Sequence, residues 1–395
     1  MSRSRPLLAT VLLGLALLTL AACGGSKNPD PRAPQVGVKG EEKDAAGGLG
    51  FPAFATKNTT RVGGADPIAD AAAVAQAVYP ATDTASRPKA VTLVDKDDWQ
   101  AGIAATSLIA DPIGAPVLLS DGKDLPRATK DAITALAPVG SKEAGDARVL
   151  RIGEVPEVDG LKSTDVTGKD GAEIAARIDA LSAAARGRTS DRVLIVSSDR
   201  ADLALPAAGW AAKSGDPILF TTKDKLPAAT RQALDRHQQP KIYVLGDPDI
   251  VAAPVIKELR RLGTVKRIDA GTDPVTASIA FARYVDGSFG WGVVDPGHGL
   301  VFVNAKRPLD AVAAAPLSSS GSYGPILVHN GGRLAEEMQS YLLDIRPGYD
   351  PDPVRGVYNH AWVIGDEKAM SIANQSRIDA LLEITAVEAD PKPSS

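Results

Sequence analysis

Ala115-Pro116-Val117-Leu118-Leu119-Ser120 is a short apolar run opened by a proline, and the same pattern occurs three times in this chain. The other copies are Asp216-Pro217-Ile218-Leu219-Phe220-Thr221 and Gly324-Pro325-Ile326-Leu327-Val328-His329. The interval from Pro116 to Pro217 nearly equals the interval from Pro217 to Pro325. Self-similarity at a nearly constant spacing is the signature of a repeated structural unit.

A second block recurs at the same two intervals. Leu125-Pro126 returns as Leu226-Pro227 and then as Leu334-Ala335. Two separate blocks that share both intervals without a gap indicate three tandem copies of one unit. Proline has no backbone N–H, and the first turn of a helix does not need that donor. The Leu-Pro pairs therefore predict helix starts.

Further apolar strands flank the repeated runs. One precedes each run, at 90–94, 192–196 and 299–303. Another, ending in glycine, closes each unit, at 149–153, 242–246 and 361–365. Ala-rich helical stretches lie between them. Short, nearly continuous apolar strands that alternate with helices predict an α/β fold of parallel sheets with helices on both faces.

A short turn containing an aspartate precedes each unit, at 61–66, 167–170 and 270–273. Each turn leads into an Ala-rich helical stretch. Because an aspartate accepts the free N–H groups at a helix start, we expect Asp66, Asp170 and Asp273 to act in turns and caps.

These residues resemble the bacterial cell wall-binding type 2 repeat, a family usually found as three tandem copies. Arg307-Pro308-Leu309-Asp310-Ala311-Val312-Ala313-Ala314-Ala315-Pro316-Leu317 is similar to the family's Pro-Asp-Ala-Leu-Ala-Ala-Ala-Pro-Leu segment. Arg61-Val62-Gly63-Gly64-Ala65-Asp66 resembles its opening Arg-x-Gly-Gly-x-Asp-Arg. The resemblance covers roughly residues 61 to 385. It implies three Rossmann-like units packed around a pseudo-threefold axis, and non-covalent attachment to anionic cell-wall polymers.

The chain departs from the family pattern at an arginine. The residue after the opening aspartate is Pro67, Gly171 or Pro274 in the three copies. Arginine is the side chain best suited to clamp phosphate or carboxylate groups, so its loss affects the expected ligand contacts more than the fold.

Six residues remain candidates for contact with a ligand: Arg61, Asp66, Asp202, Arg267, Asp273 and Asp310. For the two arginines the alternative is ion pairing at the surface, and for the aspartates it is helix capping. Asp202 lies as far before Pro217 as Asp310 lies before Pro325, so we expect equivalent roles for these two. Trp291 is either a core residue or a platform on which a sugar stacks.

The N-terminal segment predicts where the protein goes. Arg3 and Arg5 precede an apolar run from 7 to 20, which is short for a membrane span and has the flanks of a secretory signal. Leu20-Ala21-Ala22-Cys23 resembles a bacterial lipobox, in which the cysteine is acylated after cleavage, and Cys23 is the single cysteine of the chain. We expect a protein anchored by lipid on the extracytoplasmic face of the cell membrane.

The expected organisation follows from these features. It is a lipoprotein signal peptide (1–22), a flexible tether (23–60), repeat one (61–160), repeat two (161–264), repeat three (265–385) and a disordered tail (386–395).

Composition and motifs exclude several functions. With 44 Lys+Arg against 48 Asp+Glu, the chain lacks the basic excess of a general nucleic-acid binder. One cysteine and four histidines leave little for a metal centre, and we expect neither metal nor cofactor. No GxxxxGK[ST] motif that would cradle phosphates is present. No GxSxG motif is present either, and the one cysteine belongs to the expected anchor, so nucleophilic catalysis has no visible candidate and we expect no enzyme.

The sequence therefore predicts a non-catalytic binding protein whose partner is a cell-wall polymer or an envelope protein. The contact is expected at loops after the carboxyl ends of the strands, where open α/β sheets place ligands. Two alternatives remain. One is the substrate-binding lipoprotein of an ABC transporter. The other is a scaffolding lipoprotein whose repeats no longer bind polymer.

Overall fold

The computed structural model describes residues 53–269, 271–321, 323–350 and 352–387. The expected signal peptide, Cys23, the tether up to residue 52 and residues 388–395 of the expected tail lie outside these ranges. Within them, no helix is both long and apolar enough to span a bilayer.

The described chain opens with an antiparallel pair of strands, β1 (Ala53–Ala55) and β2 (Thr59–Val62). The first unit follows. In chain order it contains α1 (Pro67–Val78), β3 (Val91–Asp95), α2 (Trp99–Ala105), β4 (Val117–Ser120), α3 (Arg127–Leu136), β5 (Val149–Ile152) and β6 (Ser163–Val166). Its four strands form a parallel sheet in the order β4-β3-β5-β6.

The second unit repeats this plan and adds one helix. It contains α4 (Gly171–Arg186), β7 (Arg192–Ser197), α5 (Ala201–Ser214), β8 (Ile218–Thr221), α6 (Ala228–Arg236), β9 (Lys241–Leu245), α7 (Ala253–Leu262) and β10 (Thr264–Ile268). The parallel order is β8-β7-β9-β10, so each strand occupies the place of its counterpart in the first sheet.

The third unit carries two small additional pairs of strands. Its elements are α8 (Pro274–Arg283), β11 (Val285–Asp286), β12 (Phe289–Gly290), β13 (Gly299–Asn304), α9 (Pro308–Ala314), β14 (Ile326–His329), α10 (Glu336–Asp344), β15 (Gly348–Tyr349), β16 (His360–Ile364), α11 (Ile372–Leu381) and β17 (Thr385–Ala386). The main sheet has the order β14-β13-β16-β2-β1. The expected α/β class with parallel sheets is therefore confirmed.

The fourth strand of each sheet immediately precedes the first helix of another unit. β6 leads into α4 and β10 leads into α8, yet β6 pairs with β5 and β10 with β9. In the third sheet the fourth place is taken by β2, which pairs in parallel with β16 and leads into α1. The N-terminal strand thus completes the last sheet and closes the three units into a ring.

This closure corrects the expected organisation at both ends. Residues 53–60, which the sequence assigned to the tether, include β1 and part of β2, because the edge of β16 offers backbone partners to β2 and the edge of β2 offers them to β1. Ala386, assigned to the tail, pairs with Tyr349. The boundaries after residues 160 and 264 also do not match the sheets, since β6 and β10 belong to the preceding unit.

Three Ala-rich helices meet where the units join. α2, α5 and α9 contact one another pairwise, and nearly all their residues except those of the first turn are buried. Small side chains let helices approach closely. A Cβ on Gly102 of α2 would lie 3.0 Å from Leu309 and 3.1 Å from Val312 of α9. The main hydrophobic core runs without interruption through all three units.

Candidate functional site

The aspartates of the three opening turns cap the N-termini of helices, as the sequence predicted. Asp66 accepts the N–H of Ala69 at 2.9 Å, and Asp170 accepts that of Glu173 at 2.8 Å. Asp273 accepts from Val275 at 2.9 Å and from Thr276 at 3.0 Å. These carboxylates are therefore occupied by the first turns of α1, α4 and α8.

Arg61 of β2 holds the loop that follows β16. Its Nη1 donates to the carbonyls of Gly365 (2.8 Å) and Asp366 (2.7 Å), and its Nη2 donates to Met370 (2.8 Å). Its Nε donates to Gln375 at 2.9 Å, and the residue is only 8% exposed. Burial lowers the pKa of Arg61 from its ordinary value, and Glu367, Asp366 and Asp70 oppose that shift. The guanidinium is thus bound by the protein itself.

Arg267 of β10 occupies the same place in the second sheet. It donates to Gly246 at 2.6 Å and to Val251 at 2.8 Å, the carbonyls of the loop after β9. In the first sheet the arginine lies on the neighbouring strand instead: Arg151 of β5 binds Asp165, which lies opposite it on β6, through Nε at 2.7 Å. The two arginines predicted as ligand contacts therefore hold loops, and contact with a ligand stays a prediction.

Asp202 and Asp310 differ in position, although each lies equally far before a proline. Asp202 is the second residue of α5, and Arg200 donates to it through Nε at 2.9 Å and Nη2 at 2.7 Å. Asp310 is the third residue of α9 and is completely buried. Neither residue caps its helix: the N-cap positions are held by Arg200 and Arg307. Helix capping, the alternative given for these two aspartates in the sequence analysis, is therefore wrong.

Arg307 joins Asp310 to a second buried carboxyl group, that of Asp70 in α1. Arg307 Nη2 lies 2.6 Å from Asp70 Oδ2, and its Nε lies 2.8 Å from Asp310 Oδ2. The Gly64 N–H donates to Asp70 Oδ1 at 2.6 Å. This cluster joins the third unit to the first unit.

When two buried carboxyl groups share one guanidinium, ionising both of them costs free energy through desolvation and mutual repulsion. Burial raises the pKa of Asp70, and the nearby charge of Asp310 raises it further. Burial also raises the pKa of Asp310, while Arg307 opposes that shift. The pair therefore retains a proton into a pH range where exposed carboxyl groups have lost theirs.

The other two junctions between units lack this carboxyl pair. At the second, Arg200 Nη2 donates to the carbonyl of Thr272 in the turn before α8, at 2.9 Å. At the first, Gln100 of α2 lies against Gly171, so that a Cβ on Gly171 would clash with it. The pairing of Asp70 with Arg307 was not predicted from the sequence. The signal that could have indicated it is the position of Asp70 within the otherwise apolar helix α1.

The larger clefts between units open at the amino-terminal ends of the strands. Two adjoining clefts of about 490 and 510 Å³ share Asp111. Their walls come from segments that lead into β3, β4, β7, β8 and β14. By contrast, the cavity at the carboxyl ends of β9 and β10 holds only about 10 Å³. This geometry differs from the expected contact at the carboxyl ends of the strands.

Basic side chains dominate these two clefts, which we call the basic groove. Its charged residues are Arg87, Lys89, Asp111, Glu143, Arg186, Arg188 and Lys213. Lys89 binds Asp111 at 3.0 Å, and Arg188 lies 3.8 Å from Asp191. Arg186 of α4 has no hydrogen bond or ion pair with any other residue in the described part of the chain. Burial lowers its pKa, and Asp216 opposes that shift.

Aromatic rings surround the cation at one end of the basic groove. Lys213 Nζ lies 5.3 Å from the ring centre of Trp210, 4.7 Å from that of Trp291 and 4.6 Å from that of Tyr323. Burial lowers the pKa of Lys213. Trp291 packs edge-on against Trp210, so it belongs to this aromatic cluster rather than to a separate platform. Cation–π contacts with these rings hold the Lys213 ammonium at this end of the groove.

No group of three or more His, Cys, Asp or Glu side chains that could hold a metal ion occurs within residues 53–269, 271–321, 323–350 and 352–387.

Comparison with known families identifies one segment. Residues 166–256 match the model of Cell wall binding domain 2 (CWB2). This segment runs from the end of β6 to the first turn of α7. The amidase enhancer of Bacillus subtilis (strain 168) is 28% identical over 149 residues, which are 38% of this chain and 20% of that protein. The chain thus spans about a fifth of the length of this relative.

Two solved structures share the fold. Cwp6 from Clostridium difficile superposes with a TM-score of 0.64 at 18% identity, over 84% of this chain and 51% of that chain. Cwp8 from the same organism gives 0.63 at 19% identity, over 83% of this chain and 52% of that one. The chain spans about half the length of each. One segment of the chain therefore matches the model of Cell wall binding domain 2, and its fold is similar to those of Cwp6 and Cwp8.

Proposed function

We propose that this chain is a non-catalytic surface protein, anchored by a lipid on Cys23 at the extracytoplasmic face of the membrane, that binds a cell-wall polymer. The observation that carries the proposal is the family match over 166–256, together with two further units of the same sheet order. The description of the matching family, a cell wall binding domain, supports a location in the cell envelope.

The basic groove is the polymer site that we propose. Wall polymers combine sugar rings with negatively charged groups. Arg186 supplies a guanidinium that forms no hydrogen bond or ion pair in the described chain, and Lys213 supplies an ammonium beside Trp291 and Tyr323. An arginine can bind a phosphate or carboxylate through two parallel hydrogen bonds. The proposal needs neither metal nor cofactor.

A scaffolding lipoprotein that binds an envelope protein is the second candidate. It is favoured by one observation: Arg61 and Arg267 are occupied by carbonyls of the chain itself. Three sheets of one plan, rather than two lobes, speak against the third possibility, a solute-binding lipoprotein of an ABC transporter.

Sedimentation with purified sacculi tests the proposal. The full-length protein in detergent is mixed with intact sacculi and with sacculi from which acid has removed the secondary polymers. We expect the protein to pellet with intact sacculi and to remain in the supernatant with stripped ones. Equal pelleting with both would contradict binding to the secondary polymers. Failure to pellet with either would favour the scaffolding function.

A further inference from the structure

The first unit lacks a helix that the other two units possess. α7 connects β9 to β10, and α11 follows β16 in the third unit. In the first unit, residues 153–162 connect β5 to β6 without a helix, whereas the equivalent connection in the second unit spans 246–263. α7 packs against α6, and α11 packs against α10. The corresponding face of α3 therefore has no helix against it.

In the second and third units, which possess the additional helix, one position of the helix beneath it forms a polar contact with it. In the second unit Arg231 of α6 forms an ion pair with Glu258 of α7. In the third unit Gln339 of α10 accepts a hydrogen bond from Arg377 Nε of α11 at 2.9 Å. Alignment of the repeated Leu-Pro pairs places Lys130 of α3 at this position. Lys130 is exposed and has no ion pair in the described chain.

The apolar residues under the missing helix are also less covered. Leu226 and Leu334 are 2% and 3% exposed in the complete units. Their counterpart Leu125 is only partly buried. Val158 and Leu161, from the short connection, are partly buried beside it. A helix at this place would remove these side chains from water and gain the corresponding hydrophobic free energy.

An open cleft of about 910 Å³ occupies the place of the missing helix. We call it the α3 cleft. Apolar side chains such as Leu125, Ile133 and Val158 line it. Its charged residues are Arg87, Lys123, Lys130, Arg148, Asp124, Glu157 and Asp159. Glu157 lies 3.7 Å from Arg151, so the four basic groups outnumber the acidic groups left without an ion pair in the described chain. The cleft is complementary to a helix with an apolar stripe and an acidic flank.

We propose that the α3 cleft binds an amphipathic helix of about three turns from a second envelope protein, with an acidic side chain opposite Lys130. This mode, in which an apolar helix face lies in a hydrophobic groove, recurs in protein recognition. The proposal goes beyond polymer binding, because the α3 cleft shares only Arg87 with the basic groove and lies on the first unit alone.

Helices of the chain itself are not available to fill the vacancy. A second copy would have to release α7 or α11 from its own unit, where Val255 and Leu259 of α7 and Ile378 of α11 are completely buried. Residues 24–52 show no hydrophobic period and are rich in Gly, Pro, Lys and Asp, so they predict no amphipathic helix. A separate protein is therefore the occupant that the structure favours.

A helical probe tests the proposal. The probe is a fluorescent, hydrocarbon-stapled peptide of residues 252–263, which carries Glu258 and the buried face of α7. Its binding to the purified full-length protein in detergent is followed by anisotropy. We expect saturable binding that Lys130→Glu weakens about fivefold or more, as expected for an ion pair converted into a repulsive contact. A probe carrying Glu258→Lys should bind the Lys130→Glu protein better than the original probe does.

Two further variants separate the α3 cleft from a general surface effect. Thr134→Trp, on the exposed face of α3, should fill the cleft and abolish binding. Lys142→Glu, an exposed lysine of the same unit outside the cleft, should bind like the wild type. Failure of the wild type to bind, or equal binding by Lys130→Glu, would overturn the proposal.

Two other outcomes would assign a different occupant and also overturn it. In the first, the probe binds only after proteolysis has removed residues before 53, which would identify the N-terminal segment of this chain. In the second, the probe dissociates a dimer observed by sedimentation, which would identify a second copy. Polymer binding to sacculi is measured separately, so its failure is distinguishable from failure of this proposal.

Discussion

Arg307 Nη2 lies 2.6 Å from Asp70 Oδ2, which pairs the start of α9 in the third unit with α1 in the first unit across 237 positions of sequence. The strand that precedes α1 is β2, which completes the third sheet. The ring of three units is therefore closed twice between the same two units, once by backbone pairing and once by a buried ion pair. This junction depends on protonation, because Asp310 shares the same guanidinium.

The first prediction concerns pH. Burial raises the pKa of both Asp70 and Asp310 in the folded protein, so the folded state binds more protons than the unfolded state above the ordinary carboxyl pKa near 4. Their contribution is thus fully present below that value and is lost as pH rises through the raised pKa. We expect the free energy of unfolding to fall by about 1–3 kcal/mol between pH 5 and pH 9 from this pair.

Asp70→Asn should remove most of this slope, because the amide keeps a neutral donor beside the Asp310 carboxylate. Asp202→Asn, at the corresponding junction of the second unit, is the matched control, since its side chain is a quarter exposed and should leave the slope unchanged. Denaturant titrations at each pH measure the effect. A wild-type slope that Asp70→Asn leaves unaltered would show that the pair does not titrate as a buried unit.

The second prediction concerns Arg61. Arg61→Ala removes the donors from the carbonyls of Gly365, Asp366 and Met370, and should lower the free energy of unfolding by about 2–4 kcal/mol. Arg61→Lys keeps the charge without the planar fork, so it should restore only part of the loss. Hydrogen exchange should quicken in residues 365–370.

Arg127→Ala is the control, because its side chain is 94% exposed and its ion pair with Asp131 lies on the surface. It should change stability by less than about 0.5 kcal/mol. A stable Arg61→Ala protein that no longer binds sacculi would instead assign this residue to ligand binding.

The third prediction concerns the N-terminal strands. A chain that begins at residue 63 lacks β1 and β2, so β16 becomes an exposed edge of the third sheet. We expect faster hydrogen exchange in β13 and β16, and association of the protein at high concentration. A chain that begins at residue 53 keeps both strands and is the control. Equal protection of β16 in the two chains would show that β2 is not required for the third sheet.

The fourth prediction concerns the anchor, and it depends on the lipobox resemblance of residues 20–23. Cys23→Ala should abolish incorporation of labelled palmitate and move the protein from the membrane fraction to the soluble fraction. Incorporation of label by Cys23→Ala would contradict anchoring at this residue, because the chain has no other cysteine.

Local patterns predicted most of the fold. The apolar runs became β4, β8 and β14, and the recurring Leu-Pro and Leu-Ala pairs became the starts of α3, α6 and α10. The pattern worked because these strands are buried on both faces and their helices carry local start signals. Pairing of β2 with β16 was not predictable in this way, because it joins residues from opposite ends of the described chain, such as Thr59 and Ala361.

The roles of the site residues were harder to predict, because they also depend on contacts between segments that are far apart in the sequence. The equal spacing of Asp202 and Asp310 from a proline suggested equivalence, but α9 begins one residue farther from that proline than α5 does from its own. That shift turns Asp310 inward to Arg307, while Asp202 stays near the surface. The basic groove combines segments from all three units, and no sequence pattern joins them.

The sharpest test of the basic groove is the binding of a charge-reversed variant to intact sacculi. Arg186→Glu with Lys213→Glu reverses the two cations, and Lys257→Glu with Lys368→Glu reverses two exposed lysines outside the groove as a matched control. We predict that at low salt the groove variant binds at least tenfold more weakly than the wild type. The control should bind within twofold of the wild type. Wild-type affinity in the groove variant, with folding confirmed by circular dichroism, would contradict polymer binding in this groove.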